Sequence, residues 1–207
     1  MIGVMSRRPE PGRVKTRLIP ALGPEGACRV HEHLLDETLA VVRDSQLPAR
    51  LFFTGNGELP RRLAGQWAGR VLAQSSGGLG QRMEAALMRM HEQAGRVVLV
   101  GSDCPVLTPA YLHRALELLE DHDFVLGPAE DGGYVLIGSR KASFWSGSGA
   151  LDGVEMGTGR ALAQTRAVLE RAGSLALLPR LWDLDEPRDL ERACREVRGW
   201  SHLFAPA

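Results

Sequence analysis

An aspartate lies just beyond the most apolar short run of the chain, where a metal ion or a substrate could be held. Residues 97–100 (VVLV) have the composition of a strand that is buried on both faces, as in the centre of a parallel sheet. Open α/β sheets bind ligands beyond the carboxyl ends of such strands. Asp103 occupies this position within Gly101-Ser102-Asp103-Cys104-Pro105. It either holds a ligand or caps the helix that is predicted to start near Thr108.

A basic loop follows the first predicted strand, residues 1–5. Residues 6–20 contain three prolines, one glycine and five cations, which are Arg7, Arg8, Arg13, Lys15 and Arg17. A strand, a basic loop and then a helix is an arrangement that receives phosphate on backbone N–H groups and cationic side chains. The alternative is a solvated basic turn, but stiffening by proline would have no purpose there. The loop lacks the GxxxxGK[ST] pattern of a P-loop.

A glycine-rich loop, residues 75–80, joins the third predicted strand to a predicted helix. Gln74, Gly77, Gly78 and Gly80 lie at this junction, where the absence of side chains lets a flat ligand approach the backbone. A flexible connector would have the same composition. The pattern therefore leaves both interpretations open.

Asp131 precedes two glycines between two runs of strand composition, residues 124–127 and 135–138. The Asp-Gly-Gly sequence predicts a turn that joins these strands as an antiparallel pair or an arch at the edge of the sheet. Asp131 is either a turn residue or part of the acceptor site.

Two more aspartates end the segment of residues 181–185 (LWDLD). Alternation along an extended chain directs Trp182 and Leu184 to one side and Asp183 and Asp185 to the other. Two carboxylates on one side are costly unless a cation or hydrogen bonds meet them.

Helical spacing of apolar residues predicts a long amphipathic helix over residues 24–44. His31 and His33 lie on different faces of it, which excludes a shared metal site, and we expect both at the surface. Residues 143–154 are rich in glycine and serine, and we expect a mobile flap there at the acceptor site. The other predicted helices cover residues 59–64, 81–94, 109–120, 158–172 and 187–197, and the other predicted strands cover residues 51–54, 71–74 and 175–178.

Composition favours one α/β domain over residues 1–207. The 25 basic residues balance the 25 acidic ones, so no surface-wide field favours nucleic acid or an anionic membrane. Cys28, Cys104 and Cys194 lack paired spacing and are expected to be reduced thiols in the cytoplasm. A signal-peptide core and a membrane-length apolar run are absent, so we expect a soluble protein.

Four stretches together resemble the GT-A-type nucleotide-diphospho-sugar transferases. They are RVKTRL at 13–18, GSDCP at 101–105, DGGY at 131–134 and DLDEPRDL at 183–190. Within that superfamily the chain is similar to a small bacterial group labelled glycosyltransferase or radical SAM/selenodomain-associated transferase, related to phospholactate guanylyltransferase. The resemblance runs to about residue 195. It implies a Rossmann-like GT-A three-layer sandwich with a mostly parallel mixed sheet, a nucleotide half at about 1–105 and an acceptor half at about 106–200.

The resemblance also implies roles for single residues. Lys15 and Arg17 are expected to contact phosphate, and Asp103 and Asp185 are expected to be the first and second metal ligands. Arg13, Gln74 and Gly80 complete the expected nucleotide site. Two positions depart from the pattern of the superfamily: Gly78 stands where an aspartate is common, and Glu186 replaces the threonine of an Asp-Thr-Pro motif.

These residues predict a metal-dependent transferase that takes a nucleoside triphosphate or a nucleotide sugar and passes a nucleotidyl or glycosyl group to a small acceptor. Lys15, Arg17 and a cation held by Asp103 and Asp185 would neutralise charge on phosphate. Carboxylates without His or Cys favour Mg²⁺ or Mn²⁺. Asp131 is the candidate acceptor base.

Two questions stay open from the sequence. The alternative function is a catalytically inactive nucleotide-binding module with a regulatory role. We also expect unequal parts for the paired aspartates, with Asp185 on the cation and Asp183 accepting structural hydrogen bonds.

Overall fold

The structure is a computed structural model that describes residues 1–54, 67, 69–147 and 149–201. Its strands are β1 (Ile2–Ser6), β2 (Ala49–Phe53), β3 (Val71–Ala73), β4 (Val97–Gly101), β5 (Phe124–Pro128), β6 (Tyr134–Ser139) and β7 (Leu175–Leu177). They form one sheet in the order β3-β2-β1-β4-β6-β5-β7. Only β6 runs antiparallel to its neighbours, so the predicted mostly parallel mixed sheet is confirmed.

The helices are α1 (Ile19–Asp44), α2 (Leu79–His91), α3 (Pro109–Asp121), α4 (Ala142–Trp145), α5 (Ala161–Ala172) and α6 (Pro187–Glu196). A short 3-10 turn, Thr16–Leu18, precedes α1. Gly23 breaks α1 with a φ of 70°, so its long part starts at Pro24, as predicted. The helix predicted at 59–64 lies outside the described residues.

The central strand β4 has the predicted burial. Residues 97–100 are at most 2% exposed, because helices cover both faces of the sheet. Its neighbours are β1, which is parallel, and β6, which is antiparallel. The expectation of parallel pairing was therefore right on one side only.

Each face of the sheet carries its own apolar layer. On one face α1 and α3 contribute Leu35, Leu39, Val42, Leu112 and Leu119. On the other face α2, α4 and α5 contribute Met83, Leu87, Met90, Trp145 and Leu169. The helical periodicity in the sequence produces these buried stripes. The predicted three-layer sandwich is thus confirmed.

The glycine- and serine-rich segment, described at residues 143–147 and 149–154, has buried side chains. Trp145 and Leu151 are 2% and 1% exposed. The carboxylate of Glu84 in α2 accepts the backbone N–H groups of Gly149 and Leu151 at 2.8 and 2.5 Å. Buried side chains and a buried carboxylate anchor the described part of this segment in this conformation, and its mobility stays a prediction.

The LWDLD segment forms no regular strand, only a bridge between Leu181 and Ala129. Its side chains nevertheless alternate between two sides, as predicted. Trp182 and Leu184 are buried in a third apolar cluster with residues of α1 and α6, and Asp183 and Asp185 line a cleft on the other side.

A tight turn joins β5 and β6 as the predicted antiparallel pair. Gly132 in this turn has a φ of +88°, and a Cβ there would lie 2.3 Å from the carbonyl oxygen of Gly159. Both the left-handed backbone and the close approach require glycine. The turn holds Asp131 at the carboxyl end of β5.

We predict that Gly132→Ala destabilises the protein by about 2 kcal/mol or more, because it adds backbone strain and a clash with another backbone segment. Gly153→Ala is the matched control, since a Cβ there would meet no heavy atom of the described residues within 4 Å beyond its chain neighbours and its φ lies outside the left-handed region. Urea unfolding followed by tryptophan fluorescence measures both. Equal midpoints for the two variants would contradict this account of the turn.

Candidate active site

A cleft of about 620 Å³ opens at the carboxyl edge of the sheet. The ends of β1, β3, β4 and β5 meet there because these strands run in one direction. Of the residues predicted from the sequence, the cleft is lined by Arg13, Lys15, Arg17, Gln74, Asp103, Asp131, Asp183 and Asp185. Gly80 is not among the lining residues.

Lys15 is the centre of the site. Its ammonium nitrogen lies 2.6 Å from Asp103 Oδ1, 2.9 Å from Asp185 Oδ1 and 2.6 Å from the carbonyl oxygen of Leu184. An ammonium has three donors, and three acceptors meet them. The Lys15 side chain is only 4% exposed. It therefore joins the basic loop, the end of β4 and the LWDLD segment.

The charges in this contact reinforce each other. Burial alone would lower the pKa of Lys15, but Asp103 and Asp185 outweigh it and raise that pKa. Burial alone would raise the pKa of Asp103, but the Lys15 ammonium outweighs it and lowers that pKa. Lys15 and Asp103 are therefore both charged at neutral pH. The Asp103 and Asp185 side chains are 46% and 43% exposed, so part of each carboxylate faces the cleft.

Asp183 differs from its neighbours. Asp185 is met by Lys15 and, at 3.8 Å, by Arg17. In the described part of the chain, no side chain donates a hydrogen bond to the Asp183 carboxylate or forms an ion pair with it. Burial, with the charges of Asp131 and Asp185, raises the pKa of Asp183 to about 6. The contacts thus reverse the expectation that Asp183 would be the carboxylate with structural partners.

Asp131 faces the cleft from the β5–β6 turn. Its Oδ1 accepts the backbone N–H of Gly133 at 2.7 Å, which is the contact of a turn residue. Its presence in the cleft lining keeps it within the candidate site. The two interpretations of Asp131 are compatible.

Gln74 and Gly80 have structural contacts. Gln74 Nε2 donates to the carbonyl oxygens of Ser6 and Phe52 at 3.0 and 2.9 Å, and its Oε1 accepts Arg82 Nη1 at 3.1 Å. The Gln74 amide is therefore bonded to the ends of β1 and β2. A Cβ on Gly80 would lie 3.2 Å from Leu151, so this glycine lets α2 approach the anchored segment.

A buried polar cluster beneath the site was missed from the sequence. Ser6 Oγ and Ser102 Oγ lie 2.9 Å apart, and His31 Nε2 and Ser6 Oγ lie 3.0 and 3.1 Å from the carbonyl oxygen of Arg7. A carbonyl only accepts, so His31 donates through Nε2. Burial lowers the pKa of His31.

The expectation of a surface His31 was wrong, because the side chain is 4% exposed. The signal was present in the sequence. His31 lies one helical turn from Ala27 and from Leu34, on the apolar face of α1. Ser6 and Ser102 are likewise the first polar residues after apolar strand runs.

The carboxylates fit a hard divalent cation that takes its remaining ligands from substrate or water. Among the described residues, no group of three or more Asp, Glu, His or Cys side chains is arranged to hold a metal by itself. Mg²⁺ is commonly held by one or two carboxylates together with substrate phosphates. Asp183, which lacks a cationic partner among the described side chains and lies near other carboxylates, is stabilised by any cation placed beside it.

Comparison with known proteins places the chain in a family. Residues 38–158 match the family described as "Uncharacterized protein conserved in bacteria (DUF2064)". The chain is 33% identical to a proposed nucleotide-diphospho-sugar transferase from Desulfovibrio desulfuricans G20, with 96% of this chain and 87% of that chain covered and a TM-score of 0.82. A search of curated proteins finds no match.

More distant structures share the fold. Rv0371c from Mycobacterium tuberculosis H37Rv, solved in complex with manganese, is 20% identical over 95% of this chain and 98% of that chain, with a TM-score of 0.56. The 2-C-methyl-D-erythritol 4-phosphate cytidylyltransferase from Thermus thermophilus is 18% identical over 92% of this chain and 95% of that chain, also with a TM-score of 0.56.

The fold and the likeness to the Desulfovibrio desulfuricans protein define a transferase of the GT-A-like nucleotide-diphospho-sugar transferase superfamily, as the motifs predicted. The chain belongs to the bacterial family DUF2064. No helix in the described ranges is long and apolar enough to cross a bilayer.

We predict that Lys15→Met lowers the free energy of unfolding at pH 7 by roughly 1–3 kcal/mol, less than for a fully buried pair because both carboxylates are nearly half exposed. The lowered pKa of Asp103 stabilises the fold above its unfolded pKa of about 3.9, and this contribution is lost as pH falls through the folded pKa. The difference between wild type and variant should therefore shrink from pH 7 towards pH 3.

Urea unfolding of chelator-treated protein across that pH range measures this difference. Lys141→Met removes the only other lysine of the chain and serves as the control. The Lys141 ammonium donates to the carbonyl oxygen of Ala172, away from the cleft. A Lys15→Met deficit that stays constant with pH would show that the ion pair with Asp103 does not carry the effect.

Proposed function

We propose that this protein is a metal-dependent transferase that binds a nucleoside triphosphate or a nucleotide sugar and transfers a nucleotidyl or glycosyl group to a small acceptor. The observation that carries the proposal is the cleft at the carboxyl edge, which is lined both by carboxylates around Lys15 and by arginines. Such a cleft can hold a divalent cation and anionic phosphate together. The manganese complex of Rv0371c supports a divalent cation.

The nucleotide is proposed to bind the half formed by residues 1–105 and the acceptor the half formed by residues 106–200. Arg13 and Arg17 line the cleft with side chains that are 80% and 64% exposed, so both can reach phosphate oxygens. Asp131, on the acceptor side, can accept a proton from an acceptor hydroxyl. In the cytoplasm such substrates are available in solution.

We propose that Asp103 and Asp183 hold the cation. The sequence predicted Asp185 as the second ligand, but Asp185 is already met by Lys15 and Arg17. Asp183 has a raised pKa and is half-buried among carboxylates, so a cation stabilises it most. When bound, Mg²⁺ or Mn²⁺ neutralises negative charge on phosphate oxygens. Lys15 keeps Asp103 ionised and fixed for that contact.

The first test is a thermal-shift screen of nucleoside triphosphates and nucleotide sugars with Mg²⁺ and Mn²⁺, followed by assays for released pyrophosphate and nucleoside diphosphate. A ligand at 100 times its dissociation constant stabilises the fold by about 2.7 kcal/mol. Metal-dependent release with an acceptor supports the proposal. Binding without any release across the screened acceptors would instead favour a nucleotide-binding module.

We predict that Asp103→Asn abolishes metal-dependent turnover while the protein stays folded. The change removes a ligand charge and keeps the side-chain volume, and Lys15 retains Asp185 and the Leu184 carbonyl as partners. Product release and a thermal melt of the same sample measure both effects. Unchanged turnover would remove Asp103 from the metal site.

We predict that Asp183→Asn raises the Mn²⁺ concentration for half-maximal activity by about tenfold or more, whereas Asp185→Asn raises it less and lowers the melting temperature more. Asp183→Asn breaks no ion pair among the described side chains, so it should affect the melting temperature less. Asp185→Asn weakens the contact with Lys15, so it should lower the melting temperature more. Metal titrations and melts of both variants decide between them. Exchanged phenotypes would restore Asp185 as the second ligand.

A further inference from the structure

Two of the arginines that line the cleft, Arg7 and Arg82, donate only to neutral acceptors among the described residues. Arg7 follows β1, and Arg82 lies in the first turn and a half of α2. Arg82 donates to Gln74 Oε1 at 3.1 Å and to the Gly78 carbonyl at 3.4 Å, and Arg7 donates to the Arg13 carbonyl at 3.4 Å. Within the described ranges, neither forms an ion pair with a carboxylate. Their charge is therefore available to a ligand.

The two guanidinium groups also affect each other. Burial, with the positive charge of Arg7, lowers the pKa of Arg82. A pair of like charges at the edge of a cleft is unfavourable, and an anion between them removes the repulsion. Arg13 and Arg17 are in a different situation, since Glu10 and Asp185 lie beside them.

Hydrogen bonds position the backbone of Arg7 and the guanidinium of Arg82 before any ligand binds, whereas the side chain of Arg7 is exposed. The carbonyl oxygen of Arg7 accepts hydrogen bonds from His31 and Ser6 beneath the site. Gln74, whose amide is bonded to the ends of β1 and β2, holds Arg82. Ligand binding then costs less ordering of the Arg82 side chain, because Gln74 already holds its guanidinium.

Strand order determines where an anion on this pair would lie. Arg7 follows β1, which lies between β2 and β4 in the sheet. Gln74 and Arg82 lie beyond β3 on one side of Arg7, and Asp103 lies beyond β4 on the other. A row of positive charge thus leads from the glycine-rich loop towards the carboxylates. An extended chain of phosphates matches such a row, because each phosphate carries its own charge.

We propose that Arg82, together with Arg7, binds the polyphosphate part of the nucleotide substrate. This rests on the proposed function and names residues for it. It also transfers the phosphate contact expected of Lys15 to the two arginines, because the Lys15 ammonium is engaged by two carboxylates and a carbonyl. Guanidinium groups suit phosphate, since their planar donors form paired hydrogen bonds with its oxygens.

The test is isothermal titration of the full chain with inorganic tripolyphosphate and, separately, inorganic phosphate, both with Mg²⁺ present. The variants are Arg82→Gln and its matched control Arg89→Gln, which lies on the same helix and pairs with Glu92 at 2.9 Å. We expect Arg82→Gln to weaken tripolyphosphate binding about tenfold, which is about 1.4 kcal/mol, and Arg89→Gln to leave it within about twofold. Arg82→Lys should fall between wild type and Arg82→Gln, because it keeps the charge without the planar donors.

Three results would overturn the inference. The first is that the wild type does not bind tripolyphosphate. The second is that Arg82→Gln binds tripolyphosphate as tightly as the wild type does. The third is that inorganic phosphate binds to the wild type as tightly as tripolyphosphate does. The last would mark a single-anion site such as an acceptor phosphate requires. Thermal melts verify that each variant is folded.

Failure of this inference is distinguishable from failure of the proposed function. The titration measures binding without turnover and uses a probe that has no base and no sugar. An active transferase whose Arg82→Gln variant binds tripolyphosphate normally would refute only the assignment of Arg82. If Arg82→Gln loses tripolyphosphate binding as expected but the wild type shows no turnover, only the proposed reaction is refuted.

Discussion

The contact of the Lys15 ammonium with Asp103, Asp185 and the Leu184 carbonyl joins parts of the chain that are far apart in sequence. Charged groups taken partly out of water need partners, and here the partners come from the end of β4 and from the LWDLD segment. The backbone adds a second tie, since the Leu184 N–H donates to the Asp103 carbonyl at 2.8 Å. Lys15 itself adopts a left-handed conformation, with φ 45° and ψ 44°, at the start of the short 3-10 turn. The surrounding contacts therefore hold the basic loop in one conformation despite this unfavourable backbone.

The direction of the strands explains why so many polar residues reach one edge. β1, β3, β4 and β5 end at that edge, and each is followed by residues that line the cleft. The antiparallel strand β6 starts where β5 ends, so the turn with Asp131 also lies there. A parallel β6 would have needed a long crossover and would have carried this turn elsewhere. The single antiparallel strand of the described sheet thus adds the carboxylate of Asp131 to the cleft.

Charge is balanced over the chain but separated within the cleft. The 25 basic and 25 acidic residues cancel overall, yet in the cleft carboxylates surround Lys15, and Arg82 lies on the side nearer to β3. The carboxylates suit a bound cation and the arginines suit an anion, so this cleft matches an anionic substrate that is accompanied by a cation. The cluster of His31, Ser6 and Ser102 beneath this surface holds the backbone that carries Arg7.

Local patterns in the sequence determined the elements and the residues at their ends. The apolar run at residues 97–100 and the apolar periodicity of residues 24–44 predict which side chains are buried. This works because side chains return to the same face every two residues in a strand and every 3.6 residues in a helix. The same patterns located Asp103, Asp131 and the paired aspartates in the cleft lining, and the motifs predicted the superfamily.

Tertiary structure decided which of these groups meet. Lys15 and Asp185 are partners at a separation of 170 residues, and local sequence has no period that links them. It also decided that Glu84 anchors Gly149 and Leu151 and that Gln74 holds Arg82. Among the described side chains it gave ion pairs to Asp185 and none to Asp183. The composition of a segment indicates which secondary structure it forms and which of its faces is buried. The distances between segments are set by strand order and by the paths of the loops. Charge interactions depend on those distances.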